Sequence, residues 1–168
     1  KTIYSGGVSD VLLQKRDKAG NLIWSTYYGG SLEDAVNKFI LLKNGKIALC
    51  GQTNSNANIA KEGYQNNYGG GSYDGFLAVF NDDGTLDWAT YYGGSGEDAI
   101  YGLVEDSKGN LYISGYTYSG SKIATPGSYQ LALAGNSDGF LAKFSEDGQL
   151  LWGTYMGGTG LDAIYAMD

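Results

Sequence analysis

The chain has 168 residues, with 18 Asp and Glu against 11 Lys and Arg, no histidine, and a formal net charge of −7. That balance argues against a nucleic-acid binder and disfavours anionic membrane surfaces, and no apolar run approaches the roughly 20 residues that span a bilayer. With 28 glycines, 15 tyrosines, one proline and 17% charged residues, the composition is that of a folded, β-rich chain rather than a disordered one.

In chain order, residues 10–30 predict a hairpin that ends in "WSTYYGG", the first of three related runs. Residues 34–94 predict two strands, a long loop over 54–73, and a second hairpin from "DGFLAVF" and "LDWATYY". Residues 98–158 repeat this plan: "AIYGLVED", the turn "SKGN", "LYISGYT", a loop over 118–137, then "DGFLAKF" and "LLWGTYM". Residues 162–168, "DAIYAMD", begin the same pattern again. Trp24, Trp88 and Trp152 recur every 64 residues, as do Asp10, Asp74 and Asp138, and residues 74–104 and 138–168 agree at 19 of 31 positions. The chain is an array of one repeated module.

In the second hairpin of each unit, Asp17, Asn81 or Ser145 stands three residues before Gly20, Gly84 or Gly148. A short polar side chain bonds the backbone ahead of it, and glycine supplies the positive φ that closes the turn. Turn chemistry therefore accounts for these acids and amides better than calcium ligation by Asp82 and Asp83, although a bound calcium stays open as a cofactor. No other cofactor and no other metal site is expected. Cys50 reads as a small strand residue, since a nucleophile would want a basic partner and the chain has no histidine.

Four short antiparallel strands per unit make a small sheet that cannot bury both faces alone. Radial stacking buries them, which is the logic of a β-propeller. An immunoglobulin-like sandwich needs about 100 residues and seven strands per unit. The fold class is therefore all-β, with residues 1–168 forming part of one propeller domain. Residues 10–30 are the outer half of a blade, 34–94 and 98–158 are complete blades, and 162–168 start the next. At 64 residues per unit the chain holds about 2.6 units. It is expected to be a segment of a longer chain, or to associate through its open ends, and to behave poorly as an isolated monomer.

The runs "DGFLAKFSEDGQLLWGTYMGGTGLDAIYAM", "DSKGNLYISGYTYS" and "IATPGSYQ" resemble the bacterial SBBP, or seven-bladed beta-propeller, repeat. The first copy departs from it, with "FILLKNGKIALCGQT" and with "IAKEGYQ" lacking the proline. The resemblance implies a secreted or cell-surface bacterial propeller, and it supplies no catalytic residues to carry over.

In this arrangement Trp24, Trp88 and Trp152 are expected to pack between neighbouring sheets rather than to serve as ligand platforms. Asp34, Asp98 and Asp162 are expected to accept hydrogen bonds from the links between blades. The alternative is a ring of carboxylates at the channel mouth, holding a cation or a basic partner. About twenty residues beyond an ordinary blade concentrate in the two long loops. Their tyrosines, Tyr64, Tyr68, Tyr73 and Tyr129, join the three aspartates as candidate binding residues, against the alternative that each loop folds over its own blade. The expected function is a noncatalytic scaffold, adhesion or protein-interaction module acting through this long-loop face. The partner is an extracellular protein or glycan, without nucleic acid or membrane insertion. A lectin-like propeller is the second possibility. A glycosidase is more distant, since Arg16 is the only arginine and acids repeated in every copy look architectural.

Overall fold

The computed structural model describes residues 4–168. The domain assignment over 1–168 also includes residues 1–3, which lie outside the described residues. Ten strands follow one another: β1 (Val11–Arg16), β2 (Leu22–Tyr28), β3 (Asp34–Leu41), β4 (Ile47–Thr53), β5 (Asp74–Phe80), β6 (Leu86–Tyr92), β7 (Asp98–Glu105), β8 (Leu111–Thr117), β9 (Asp138–Phe144) and β10 (Leu150–Met156). They form a two-stranded sheet, β1-β2, and two four-stranded antiparallel sheets, β3-β4-β5-β6 and β7-β8-β9-β10. The sheets stack in series without closing, as in an open segment of a propeller.

The period-two pattern of the strands explains the stacking. In β5, Phe76, Ala78 and Phe80 enter one apolar cluster with Val11 and Tyr28 of the preceding half-blade. Leu77 and Val79 point the other way, into a second cluster with Ile100, Leu103 and Phe140 of the following blade. Every residue of β5 is buried because its sheet has a neighbour on each side. In β9, Phe140, Ala142 and Phe144 are buried, whereas Leu141 and Lys143 are half-exposed on the side that no sheet covers. The two-stranded half-blade leaves the inner strand β3 of the next sheet partly uncovered on that side. Phe39 of β3 is 68% exposed, while Leu103, its equivalent one repeat later, is 0% exposed.

The outer hairpins turn as their sequence requires. Gly20, Gly84 and Gly148 have φ of 87°, 83° and 82°. Each donates its N–H to the carbonyl three residues back, on Asp17, Asn81 or Ser145, at 3.0 Å, and a register shift follows next to the turn. A second kind of bulge lies in the inner strands, between Val36 and Lys38 and between Ile100 and Gly102, leaving Asn37 and Tyr101 unpaired. Opposite it, a Cβ on Gly115 would overlap the Ala99 carbonyl oxygen, and one on Gly51 would overlap that of Ala35. Gly115→Ala is accordingly expected to destabilise the chain by about 1–3 kcal/mol. A lowered denaturation midpoint, with amide protection lost first in β7, is the readout. An unchanged midpoint would contradict it.

The three tryptophans sit in β2, β6 and β10. Trp88 Nε1 donates to the Glu146 carbonyl at 2.8 Å, and Trp24 Nε1 to the Asp82 carbonyl at 2.9 Å. Each ring lies against the turn glycine of the next blade, Gly148 or Gly84. The tryptophan therefore staples one outer hairpin to its neighbour. Trp152 has no following hairpin in this structure and packs edge-on against Tyr112 of its own sheet. Residues 162–168 form no strand. They begin as β7 does, with Asp162 N bonded to the Ser137 carbonyl as Asp98 N is to that of Tyr73.

The long loops return along the outer edges of the blades. Lys61 and Ala89 exchange both backbone hydrogen bonds at 2.8 Å, and Tyr91 N donates to the Gln65 carbonyl. In the second blade Thr125 N donates to Gly153 and Tyr155 N to Gln130. These segments cover strand edges that would otherwise present free N–H and C=O groups. Ile59 and Ile123 anchor them in the core, where their carbonyls accept the hydroxyls of Tyr28 and Tyr92 from the preceding sheet.

Candidate functional site

Each link between sheets is built on a pair of aspartates. Asp98 Oδ2 accepts Gly94 N at 2.8 Å and Ser119 Oγ at 2.7 Å. Asp34 Oδ2 accepts Gly30 N and Ser55 Oγ, and Thr53 Oγ1 donates to its Oδ1. Asp162 repeats the contact with Gly158 N at 2.8 Å. Asp34 and Asp98 are buried, so they hold the links and cannot present an open ring of carboxylates to a ligand. Asp162 alone of the three is partly exposed.

The second member of each pair is Asp10, Asp74 or Asp138, which in the sequence served only to mark the repeat. Asp74 Oδ2 accepts Gly69 N at 2.6 Å, and Asp138 Oδ2 accepts Ala134 N and Gln130 Nε2. In all three copies the other oxygen, Oδ1, is buried without a hydrogen-bond donor. Gly93 separates the members of one pair: a Cβ there would lie 2.6 Å from Asp98 Oδ2 and 3.0 Å from Asp74 Oδ1. The glycine is thus required by the space the two carboxylates leave. Burial, opposed by these hydrogen bonds, pushes Asp98 up to about 6 and Asp74 up to about 7, with the Asp98 charge adding to the latter. Among the described residues no group of three carboxylate, thiol or imidazole side chains gathers as a metal site.

The loop tyrosines do not assemble. Tyr64 meets the edge of Phe144, and Tyr68 meets Tyr91 while its hydroxyl donates to the Gly71 carbonyl. Burial pushes the Tyr68 hydroxyl up to about 12. Tyr73 donates to Glu33 Oε2 at 2.9 Å. Tyr129 stands by Trp152 in a groove of about 650 Å³ on the uncovered side of the second blade. The loops bond to the outer edges of their own blades and touch the next blade at Tyr64, and the tyrosines they carry are dispersed.

A different group of tyrosines does come together, on the link side next to the inner strands. The bulge in β7 aims Tyr101 at Tyr165, with ring centroids 5.1 Å apart, and at Tyr116 of β8, 5.9 Å away. Tyr118 stands edge-on to Tyr116 at 5.9 Å. Tyr116 donates to Glu97 Oε1 at 2.7 Å, and burial together with that carboxylate raises its ionisation well above the ordinary phenol range. Tyr116, Tyr118, Asp162 and Tyr165 line a cleft of about 300 Å³. Tyr118 and Tyr165 are 43% and 64% exposed. In the first copy the equivalents of Tyr101, Tyr116 and Tyr118 are Asn37, Gln52 and Asn54. Tyr165 repeats Tyr101 one unit later, so the cluster joins a repeated ring to Tyr116 and Tyr118, which the first copy lacks. In the sequence, the signal for these two tyrosines is the difference between the aligned copies, not the composition of the loops.

Residues 87–121 match the family model of a beta-propeller repeat, SBBP. These residues are an SBBP repeat. The chain is also 31% identical over 143 residues, 84% of its length, to the regulatory protein FlaEY of Caulobacter vibrioides, and it spans 15% of that protein's length. The SBBP match runs from β6 through the link into β8 and the residues just after it. It therefore contains the staple Trp88, the link glycine Gly93, Asp98 of the carboxylate pair, and both Tyr116 and Tyr118. The matched residues are those of the joint between the two complete blades.

Proposed function

We propose that this SBBP propeller segment is a noncatalytic binding module that engages a protein partner through its link side, at the tyrosine cleft. The observation that carries the reading is the division of labour among side chains. The repeated tryptophans, glycines and aspartates are consumed in joining blades, whereas Tyr116 and Tyr118, which the first copy lacks, stand with Tyr165 at a cleft open to a ligand. A catalytic role lacks a nucleophile with a base: the chain has no histidine, and burial pushes the Cys50 thiol up to about 12. The relative named as a regulatory protein is compatible with an interaction module. The secreted or cell-surface location that the family resemblance implies belongs to the same proposal, as does a role as scaffold or adhesion surface. A second reading, a lectin-like site, draws on the ring faces of Tyr118 and Tyr165 beside the Asp162 carboxylate.

The test is a displayed peptide library and a glycan array, both probed with the wild-type chain and with Tyr118→Ala. Peptide ligands that lose at least about tenfold in affinity with the variant are expected. Binding to glycans alone would favour the lectin, and hydrolysis of chromogenic glycosides would overturn the noncatalytic reading.

A further inference from the structure

We propose that the tyrosine cleft is a receptor for a single basic side chain, Lys or Arg, presented by an extended peptide. The inference rests on the binding-module reading and names the ligand of that site.

Charge distribution is the first ground. The three ion pairs among the described residues, Lys15–Asp82, Lys46–Asp87 and Lys143–Asp106, all lie at the short-hairpin end of the sheets. On the link side, Glu33, Glu97 and Asp162 enter none of them. Glu33 and Glu97 instead accept tyrosine hydroxyls, from Tyr73 and Tyr116. Two lysines lie near this side without pairing with these carboxylates: Lys38 Nζ donates to the Met167 carbonyl at 3.4 Å, and Lys122 acts on Asp74. The carboxylates of this side thus form none of these ion pairs, in a chain whose net charge of −7 favours the approach of cations.

Shape and donor chemistry are the second ground. Tyr116 and Tyr118 in the lining stand nearly perpendicular, at 87°, and the third lining ring, Tyr165, is held at 70° by Tyr101, which does not itself line the cleft. Crossed rings of this kind offer π faces from more than one direction, which is what attracts an ammonium or guanidinium. The charged groups by the cleft, Asp162 in its lining and Glu97 bound to the Tyr116 hydroxyl, only accept hydrogen bonds, and a Lys or Arg head only donates them. A sugar, whose hydroxyls both donate and accept, would leave that one-sided chemistry half used. A cleft of about 300 Å³ is the size for one long side chain rather than for a folded domain.

The experiment titrates the isotope-labelled 168-residue chain with the capped peptide Gly-Gly-Arg-Gly-Gly, its lysine analogue and its neutral citrulline analogue, following backbone amide shifts. Saturable shifts confined to Tyr116, Tyr118 and Tyr165 and their neighbours are expected with Arg and Lys. Citrulline should bind at least about tenfold more weakly, and raising salt from about 0.05 to about 0.5 M should weaken the cationic peptides. Glu97→Gln, which preserves an acceptor for Tyr116, should weaken them too, and Tyr118→Phe should retain them because the ring face is kept. Equal binding of citrulline, absence of cleft shifts with all three peptides, or saturable cleft shifts with a neutral saccharide instead would each overturn the inference. If the cleft ignores these peptides while library-selected ligands still depend on Tyr118, the basic-side-chain receptor fails and the binding module stands. If Tyr118 dependence is absent as well, both fail.

Discussion

Trp88→Ala is expected to remove about 3 to 5 kcal/mol of unfolding free energy, the range for truncating a large buried aromatic. Trp88 is 4% exposed and belongs to the cluster that joins the two complete blades. Its loss opens a cavity over Gly148, and it also leaves the Glu146 carbonyl without the indole donor. Trp152→Ala removes the same side chain from a place where no following hairpin covers it, and should cost less than half as much. Trp88→Phe keeps most of the apolar contact and gives up the hydrogen bond, for about 1 kcal/mol. Urea denaturation of the four proteins gives the ranking. Equal costs at Trp88 and Trp152 would mean that the indole stabilises its own sheet and not the joint between blades.

Stability should also fall as pH rises from 5 to 8, by about 2 to 3 kcal/mol from Asp74 alone. The folded chain holds this carboxyl at about 7, chiefly because burial penalises its charge, and Asp98 at about 6 for the same reason. A carboxyl raised in the folded state binds its proton more tightly there than in the unfolded chain. Its stabilising contribution is complete below the ordinary carboxylate range near pH 4 and disappears as pH passes through 6 to 7. The lowered carboxyls, Asp17, Asp83 and Asp106, lie in hairpin turns and act in the opposite sense, weakening the fold only at more acid pH. Asp74→Asn keeps an acceptor for Gly69 N without the titrating charge, so it should flatten the dependence between pH 5 and 8. Denaturation midpoints of wild type and variant across that range decide the matter. A wild type that grows more stable toward pH 8 would show that Asp74 stays charged inside the fold.

Much of the architecture is legible in the sequence because it is set by local rules. The interval between Trp24, Trp88 and Trp152 marks the repeat, apolar runs such as "DGFLAVF" mark strands, and Gly20, Gly84 and Gly148 mark turns whose positive φ disfavours other side chains. These features depend on residues close together in the chain, so periodicity and turn chemistry reveal them. The partners of the buried carboxylates do not follow such rules. Asp74 and Asp98 are separated by two strands' worth of chain, and they meet across Gly93 only because the link folds back between sheets. Phe39 and Leu103 look alike as apolar residues at equivalent places, yet one is exposed and the other buried according to whether a sheet lies beside them. The long loops look like binding loops by composition, but hydrogen bonds to the outer strand edge fix them on their blades. The tyrosine cleft joins a bulge in β7, the end of β8 and residues 162–165. Tyr101 and Tyr165 stand one repeat apart, but only inter-sheet packing decides that they share a space with Tyr116 and Tyr118.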